Sequence, residues 1–269
     1  MIKNTGIVEQ VRLWDGLQYY WKFDENTGTA VADSIGGLNG TLSDSGIWVA
    51  GKNNTGIKCN NQYFQTNPWG IWNTKQPYSV SFWINTANSN GVVQCLTNVN
   101  ASTQAVIDIY FNLTNLYFAV LNGSERCAIR CDTLIADSNW HHVVCAYNGD
   151  RNPSNMKVWL DGTAQTPTVT DNNLTSDATL GYTYLQIGRR NTTVYNETAI
   201  HDEVAVWSRV LSEAEVKALY SAGNGKFYGT KTFAVDWSGL QNYWRMEDAT
   251  DAMGNRNLTG TTVSYAAGK

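Results

Sequence analysis

Residues 78–85 read YSVSFWIN, with Tyr78, Val80, Phe82 and Ile84 alternating with Ser79, Ser81, Trp83 and Asn85. A period of two puts the first set on one face of a β-strand and the second on the other. The pattern predicts a half-buried strand whose apolar set faces a core. Similar stretches follow at short spacing: AVIDIYF (105–111), LYFAVL (116–121), RCAIRC (126–131), WHHVVCAY (140–147) and MKVWLDG (156–162). Asn122-Gly123, Asn148-Gly149 and Asp161-Gly162 separate them. Such pairs tolerate the positive φ angles of tight hairpin turns. Many short strands punctuated in this way predict an all-β sandwich or barrel.

One helix interrupts the strands. In LSEAEVKALYSAG (211–223), Ser212 and Glu215 have the spacing of a capping box, and Val216, Leu219 and Tyr220 form an apolar stripe. Gly223 suits the stop. A short helix at this point is expected to close an edge or end of the sandwich.

The composition agrees and excludes some partners. Charged residues make up 16 %, and the 11 Trp and 14 Tyr favour strands and binding surfaces. The net charge of −4 argues against nucleic acid, which needs a basic face. No stretch approaches the ~20 apolar residues of a spanning helix, so no membrane insertion is expected. No apolar signal-peptide core is visible near Met1. The five cysteines (Cys59, Cys95, Cys127, Cys131 and Cys145) form an odd set without a CxxC pair. They read as free, buried packing residues rather than a disulfide framework or metal cluster. Cys127 and Cys131 would lie about 13 Å apart along a strand, too far to bridge.

The chain also repeats its opening. WDGLQYYWKFDE (14–25) returns as WSGLQNYWRMED (237–248), with six of twelve positions identical. DSIGGLNG (33–40) is echoed by DAMGNRNL (251–258), and WVAGK (48–52) by YAAGK (265–269). The expected organisation is an N-terminal arm (1–13), a jelly-roll domain (14–223), a linker (224–236) and the start of a second jelly-roll repeat (237–269).

The stretches YYWKFDENTGTAVADSIGGLNGTL, SVSFWI, WHHVVCAYNG, MKVWLDG, LQIGR and IHDEVAVWSRVLSEAEVKALY occur in the order of a laminin G-like domain. Together they resemble this branch of the concanavalin A-like lectin/glucanase superfamily over about residues 17–222. The resemblance implies an antiparallel jelly roll of two facing sheets. Its members include glycan-binding modules, adhesins and enzymes, so function has to be argued from a site. The usual pattern has Gly before the DEV triplet, where this chain has His201, a candidate rim residue.

Glucanases of this superfamily alternate carboxylates along one strand so that both acids face a cleft. No such strand is found here. Asp108 is the lone acid of its strand, and the adjacent Asp202 and Glu203 should face opposite ways. No catalytic residues are assigned. His141 and His142 also fall on opposite faces, reading as one packed and one solvated histidine. The resemblance implies a structural Ca²⁺ held by rim carboxylates, with Asp33 and Asp202 the best matches by position.

Sugar binding needs aromatic faces beside amide and carboxylate groups. Trp69 and Trp72 in NPWGIWNTK (67–75), Tyr182 and Tyr184 in LGYTYLQ, and Tyr195 in NTTVYNETA are the candidates. Trp83 and Trp159 lie off their strands' main alternation, lining the concave face or packing beneath a loop. The expected function is a non-catalytic recognition or adhesion module for glycans or host-surface glycoconjugates, on an extracellular surface or a virion. The structural alternative is an assembly brick that self-associates through residues 233–269 by strand addition. A polysaccharide-degrading enzyme is the third class.

Overall fold

A computed structural model describes residues 13–68, 72–87, 92–99, 105–112, 114–132, 135–177, 179–180, 184–190, 193–194 and 198–225. They all fall within one unit, Val8–Tyr228. The expected N-terminal arm, most of the linker and the repeated opening lie outside them, apart from Leu13, Asn224 and Gly225.

Short strands come first: β1 (Leu17–Trp21), β2 (Ala30–Val31), β3 (Gly40–Leu42), β4 (Trp48–Ala50), β5 (Thr55–Cys59), β6 (Phe64–Thr66) and β7 (Trp72–Asn73). The long central strands follow: β8 (Tyr78–Asn85), β9 (Val92–Val99), β10 (Ala105–Asn112), β11 (Asn115–Asn122), β12 (Glu125–Asp132) and β13 (Trp140–Tyr147). The last third holds β14 (Lys157–Leu160), β15 (Thr163–Ala164), β16 (Thr168–Asn172), β17 (Thr179–Leu180), β18 (Tyr184–Ile187), β19 (Arg189–Arg190), β20 (Thr193–Val194) and β21 (Ala199–Trp207). Helix α1 (Glu213–Tyr220) follows.

The pairings are antiparallel and build two large sheets. One runs β15-β14-β13-β8-β21-β5-β4, with β1 also paired to β21, giving eight strands. The other runs β16-β12-β11-β10-β9-β18-β6-β3-β2 in nine. This is the expected jelly-roll sandwich. Between the sheets, Val80, Phe82, Ile84, Val143 and Cys145 meet Ile107, Ile109, Phe111, Phe118 and Ile129. Fully burying each such side chain contributes roughly 1.5–3 kcal/mol. All five cysteines are free and buried, as their spacing predicts. At Gly40 a Cβ would sit 2.4 Å from the Phe64 ring, so only glycine lets β3 approach the core.

The sequence pattern misjudged the second face of β8. The strand is buried on both faces as far as Ile84. Helix α1 lies on the outer face of the eight-stranded sheet rather than at an edge. Its Val216 and Leu219 pack with Leu13, Leu17, Tyr20, Val144, Trp159, Ala205 and Trp207. Ser79 makes the close approach workable: its hydroxyl donates to the Arg209 carbonyl (2.9 Å) and accepts from the Leu211 amide (2.9 Å). The capping box forms as expected between Ser212 and Glu215. Ser221, in the left-handed region (φ 47°), caps the helix C-terminus, two residues before Gly223. No helix among the described residues is long and apolar enough to cross a membrane.

Candidate functional site

The outer face of the nine-stranded sheet differs in chemistry. On β10, Ile107, Ile109 and Phe111 point to the core. Alternation therefore sends Asp108 and Tyr110 outward. Asp108 lies opposite Ala119 on β11 and Thr97 on β9. Ala119 faces Ala128 on β12, and Ala128 faces Asp171 on β16. On the other side Thr97 faces Gln186, and Gln186 faces Gln65. One row of the sheet therefore reads Asp171, Ala128, Ala119, Asp108, Thr97, Gln186, Gln65. The next row carries Arg130, Tyr117, Tyr110 and Gln94 in register.

This face holds a connected polar network. Asp108 is only 2 % exposed. It accepts from Gln94 Nε2 (2.9 Å) and pairs with Arg190 Nε (3.2 Å). Burial raises its pKa, against the pull of Arg190, Gln94 and Arg126. Gln186 donates to Gln65 (2.7 Å). Tyr110 and Tyr117 stack with centroids 5.0 Å apart and planes 5° apart. Ala119, Leu121 and Ala128 form a small apolar patch against which Tyr184 packs. These three residues are themselves buried, as are Asp108, Gln94, Thr97 and Gln186, and the half-buried Tyr110–Tyr117 pair is the accessible aromatic surface beside them. Flat aromatic surface beside polar groups can take a sugar ring.

The expected ligand-binding residues fall partly here. Tyr184 opens β18 and is half-buried against the alanine patch. Trp72 lies in β7, which pairs with β17, Trp72 opposite Leu180. The NPWGIWNTK and LGYTYLQ segments, far apart in sequence, thus share one ribbon. Trp69, Tyr182 and Tyr195 lie outside the described residues. Trp83 and Trp159 are not on the open face, since both pack beneath α1. The Trp83 ring stacks with Tyr220 (6.0 Å) and lies 5.0 Å from the His142 ring. The sequence singles out Asp108 only as a lone acid on its strand, and does not mark Tyr110 or Tyr117 at all. An acid in the middle of AVIDIYF was the available signal, because a charge there needs a built environment.

The Asp108 and Asp171 carboxylates lack the spacing of a glycosidase pair. Asp108 and Asp171 are three strand spacings apart, about 14 Å. Glycosidase pairs sit at roughly 5–10 Å. Asp202 and Glu203, expected to diverge, instead turn toward the same loop. β21 is bulged there, and Glu203 has φ 52°, which breaks the alternation. The Asn53 amide donates to Asp202 (2.9 Å) and its side chain to Glu203 (3.2 Å). The Tyr20 hydroxyl also bonds Glu203. Burial pushes Asp202 up to about 8 and Glu203 up to about 7. Held by the chain's own donors, the pair latches the 51–54 loop onto β21.

Asp33 and Asp202 are not brought together as ligands. Asp33 Oδ1 accepts from the amides of Tyr20 and Ile35, and Oδ2 from those of Gly36 and Leu38, all at 2.9 Å. Its lone pairs organise the turn after β2. Among the described residues no group of three or more His, Cys, Asp or Glu side chains is arranged to hold a metal.

The histidines are structural. His142 is buried against Ser81 Oγ (2.8 Å), and burial pushes it down to about 3. His141, the other of the pair, is not left to solvent but is held by Asp161 (2.8 Å) and Asp137 (3.1 Å), and the Asp161 bond leads in raising its pKa. His201 is not at the rim. It is fully buried near Phe82, neither ring nitrogen has a hydrogen-bond partner among the described residues, and burial pushes it down to about 3.

Comparison with known proteins agrees with this architecture. The family model Laminin_G_3, described as concanavalin A-like lectin/glucanases superfamily, matches residues 58–217, more than half of the chain. The comparison with curated proteins found no match. Among solved structures, the binding domain of Paraclostridial Mosquitocidal Protein 1 superposes with a TM-score of 0.60 at 16 % identity, over 78 % of this chain and 53 % of that one. The receptor-binding domain of botulinum neurotoxin D gives 0.57 at 14 %, over 78 % and 54 %. The neurotoxin D ligand-binding domain in complex with N-acetylneuraminic acid gives 0.58 at 14 %, over 79 % and 52 %. The chain thus spans about half the length of these structures, and at such identities the likeness is one of fold.

Proposed function

The chain belongs to the concanavalin A-like lectin/glucanase superfamily, and from that premise we propose that it is a non-catalytic recognition module that binds glycans on the outer face of its nine-stranded sheet. The carrying observation is the row of polar side chains around Asp108 beside the stacked Tyr110–Tyr117 pair. Such a buried network has a cost unless every group is satisfied, and it fixes the strands that carry the half-buried tyrosine faces offered to a ligand. The similar binding domains, one of them seen with N-acetylneuraminic acid, favour a recognition role in the same fold. The carboxylate spacing speaks against hydrolysis. Presentation at an extracellular or virion surface suits such a module.

A glycan array with the 269-residue chain tests the reading, using Tyr110→Ala and Tyr117→Ala as site variants. Binding lost in both, with unchanged melting, supports this face. Full binding in both moves the site elsewhere, with Trp69→Ala and Trp72→Ala as the next variants.

Assembly by strand addition is the second reading. β16 ends the nine-stranded sheet, and Val169 on it, 43 % exposed, is the one large apolar side chain left exposed among the described residues. Deleting residues 233–269 separates the two readings: a brick loses assembly in light scattering, whereas a lectin keeps its glycan.

A further inference from the structure

The charges on the outer face of the nine-stranded sheet cancel. Arg190 pairs with Asp108 (3.2 Å) and Arg130 with Asp132 (3.1 Å). Asp171 stands opposite Ala128, two residues along the same face of β12 from Arg126. Such diagonal neighbours lie within reach of long side chains, so the third arginine also has a carboxylate beside it. Most of this face is closed by its own packing, and it opens at the end where β10 turns into β11. There Tyr110 and Tyr117 are half-buried, and two residues away Asn112 faces Asn115, which faces Asp132 on β12. All of these point outward with Tyr110, because Phe111, Leu116 and Cys131 between them point to the core. Among the described residues the Asn112 and Asn115 side chains make no hydrogen bond. Arg130 Nε lies close to Asp132 without aligning a hydrogen bond to it. The pair therefore cancels charge while its guanidinium keeps N–H donors to offer. The tyrosines stack on each other, so each retains its second ring face and its hydroxyl.

We propose that this open tier selects a neutral glycan unit, with Asn112 and Asn115 reading its hydroxyls. This rests on the outer-face reading of the preceding section. A carboxamide carries an acceptor oxygen and two N–H donors, so each asparagine can accept from one sugar hydroxyl and donate to the next. The Arg130 fork adds donors on the β12 side. Across β10, β11 and β12 the tier is about 10 Å wide, the scale of a sugar ring with its hydroxyls. An acidic unit would meet the Asp132 carboxylate, 69 % exposed, and no guanidinium without a neighbouring carboxylate. A basic unit would meet Arg130.

The test is binding of the 269-residue chain to immobilised glycans in three arms: neutral, carboxylated and sulfated. Isothermal titration with the strongest glycan follows for Asn112→Ala, Asn115→Ala and Asp132→Asn. The neutral arm should bind above both acidic arms, with little dependence on salt. Each asparagine variant should weaken binding on the order of 10-fold, the range of one or two hydrogen bonds. Its melting temperature should not move, since the side chain has no bond to lose among the described residues. Asp132→Asn uncovers the Arg130 charge and should raise acidic relative to neutral binding on the order of 10-fold. An acidic arm above the neutral one in the parent chain, lost in Tyr117→Ala, overturns this proposal and leaves the outer face as the site. Neutral binding lost in Tyr117→Ala but unchanged in both asparagine variants does the same. Binding that survives both Tyr110→Ala and Tyr117→Ala, or no binding in any arm, overturns both readings.

Discussion

The two outer faces of the sandwich start from the same strand pattern and end differently. On the eight-stranded sheet, Ser79, Ser81 and Trp83 read as a solvent face, yet all three are buried. Helix α1 and the segment at Leu13 cover that sheet with apolar side chains. On the nine-stranded sheet the outward positions are Asp108, Tyr110, Tyr117, Gln94 and Gln186, joined by hydrogen bonds and ring stacking. One face is sealed by apolar packing. The other is held by a buried polar network and keeps a half-buried pair of tyrosine rings beside it. Alternation shows that a strand has two faces, but not what lies on the second.

The comparison breaks most sharply at Trp207. It is fully buried under α1, and its Nε1 donates to the Leu13 carbonyl (2.8 Å). Trp207→Ala should cost about 3–5 kcal/mol, the range for a large buried aromatic. Urea denaturation gives the measurement. A loss below about 1 kcal/mol would mean that the helix does not seal this face. Tyr117→Ala, on the half-exposed open face, should cost under about 1 kcal/mol by the same measurement while abolishing glycan binding.

Asp108 falls between these extremes. Asp108→Ala removes the acceptor that joins Gln94 to Arg190, although Gln94 Nε2 still reaches the Ile109 carbonyl (3.2 Å), so a loss of about 2 kcal/mol is expected, discounted because Arg190 is partly exposed. Asp108→Asn keeps an acceptor and should lose less than half of that. Equal losses in the two variants would show that the carboxylate's hydrogen bonds do not hold the open face together.

A smaller effect lies in the pH profile. Folded Asp202 and Glu203 keep their protons up to about 8 and about 7. An unfolded chain releases such protons near pH 4. Between roughly pH 4 and 8 the folded state therefore binds more protons, and the contribution of this pair to stability falls as the pH rises through that window. Asp202→Asn removes one member, so its stability should change less between pH 5 and 8 than that of the parent. Parallel curves from urea midpoints would show that the latch is ionised in the fold.

The sandwich was legible because core positions obey period two: Val80, Phe82 and Ile84 could be assigned from sequence and lie in the core. The helix was legible from its cap. Its resting place was not, since an apolar stripe does not name its partner. Asp202 and Glu203 were misread because one residue in the left-handed region shifts every later side chain by a face. The candidate site was barely legible. It is a row across seven strands, from β16 to β6, and no spacing along the chain encodes it. The repeated opening gains meaning from the fold. A Cβ at Gly36 or Gly40 would come within 2.4 Å of a neighbour. In the correspondence of 33–40 with 251–258, Gly36 keeps its glycine as Gly254, whereas Gly37 and Gly40 stand opposite Asn255 and Leu258. The echo therefore keeps one of the two glycines that close packing requires in the first copy.

The smallest effect expected is that of a chelator, and it sharpens the contrast by asking whether either sheet depends on an ion. A structural calcium would need several free oxygen ligands converging on one point. The Asp33 oxygens accept two amide hydrogens each, and Asp202 accepts from the amides of Asn53 and Glu203. A cation at Asp33 would have to displace donors that already satisfy the carboxylate, and at Asp202 it would have to share oxygens already bonded to two backbone amides. Melting curves in EDTA and in Ca²⁺ should therefore overlay, for the parent chain and for Tyr117→Ala alike. A midpoint lower by several degrees in EDTA, reversed by Ca²⁺, would show that these backbone donors give way to an ion, and Asp33→Asn and Asp202→Asn would then tell which carboxylate holds it.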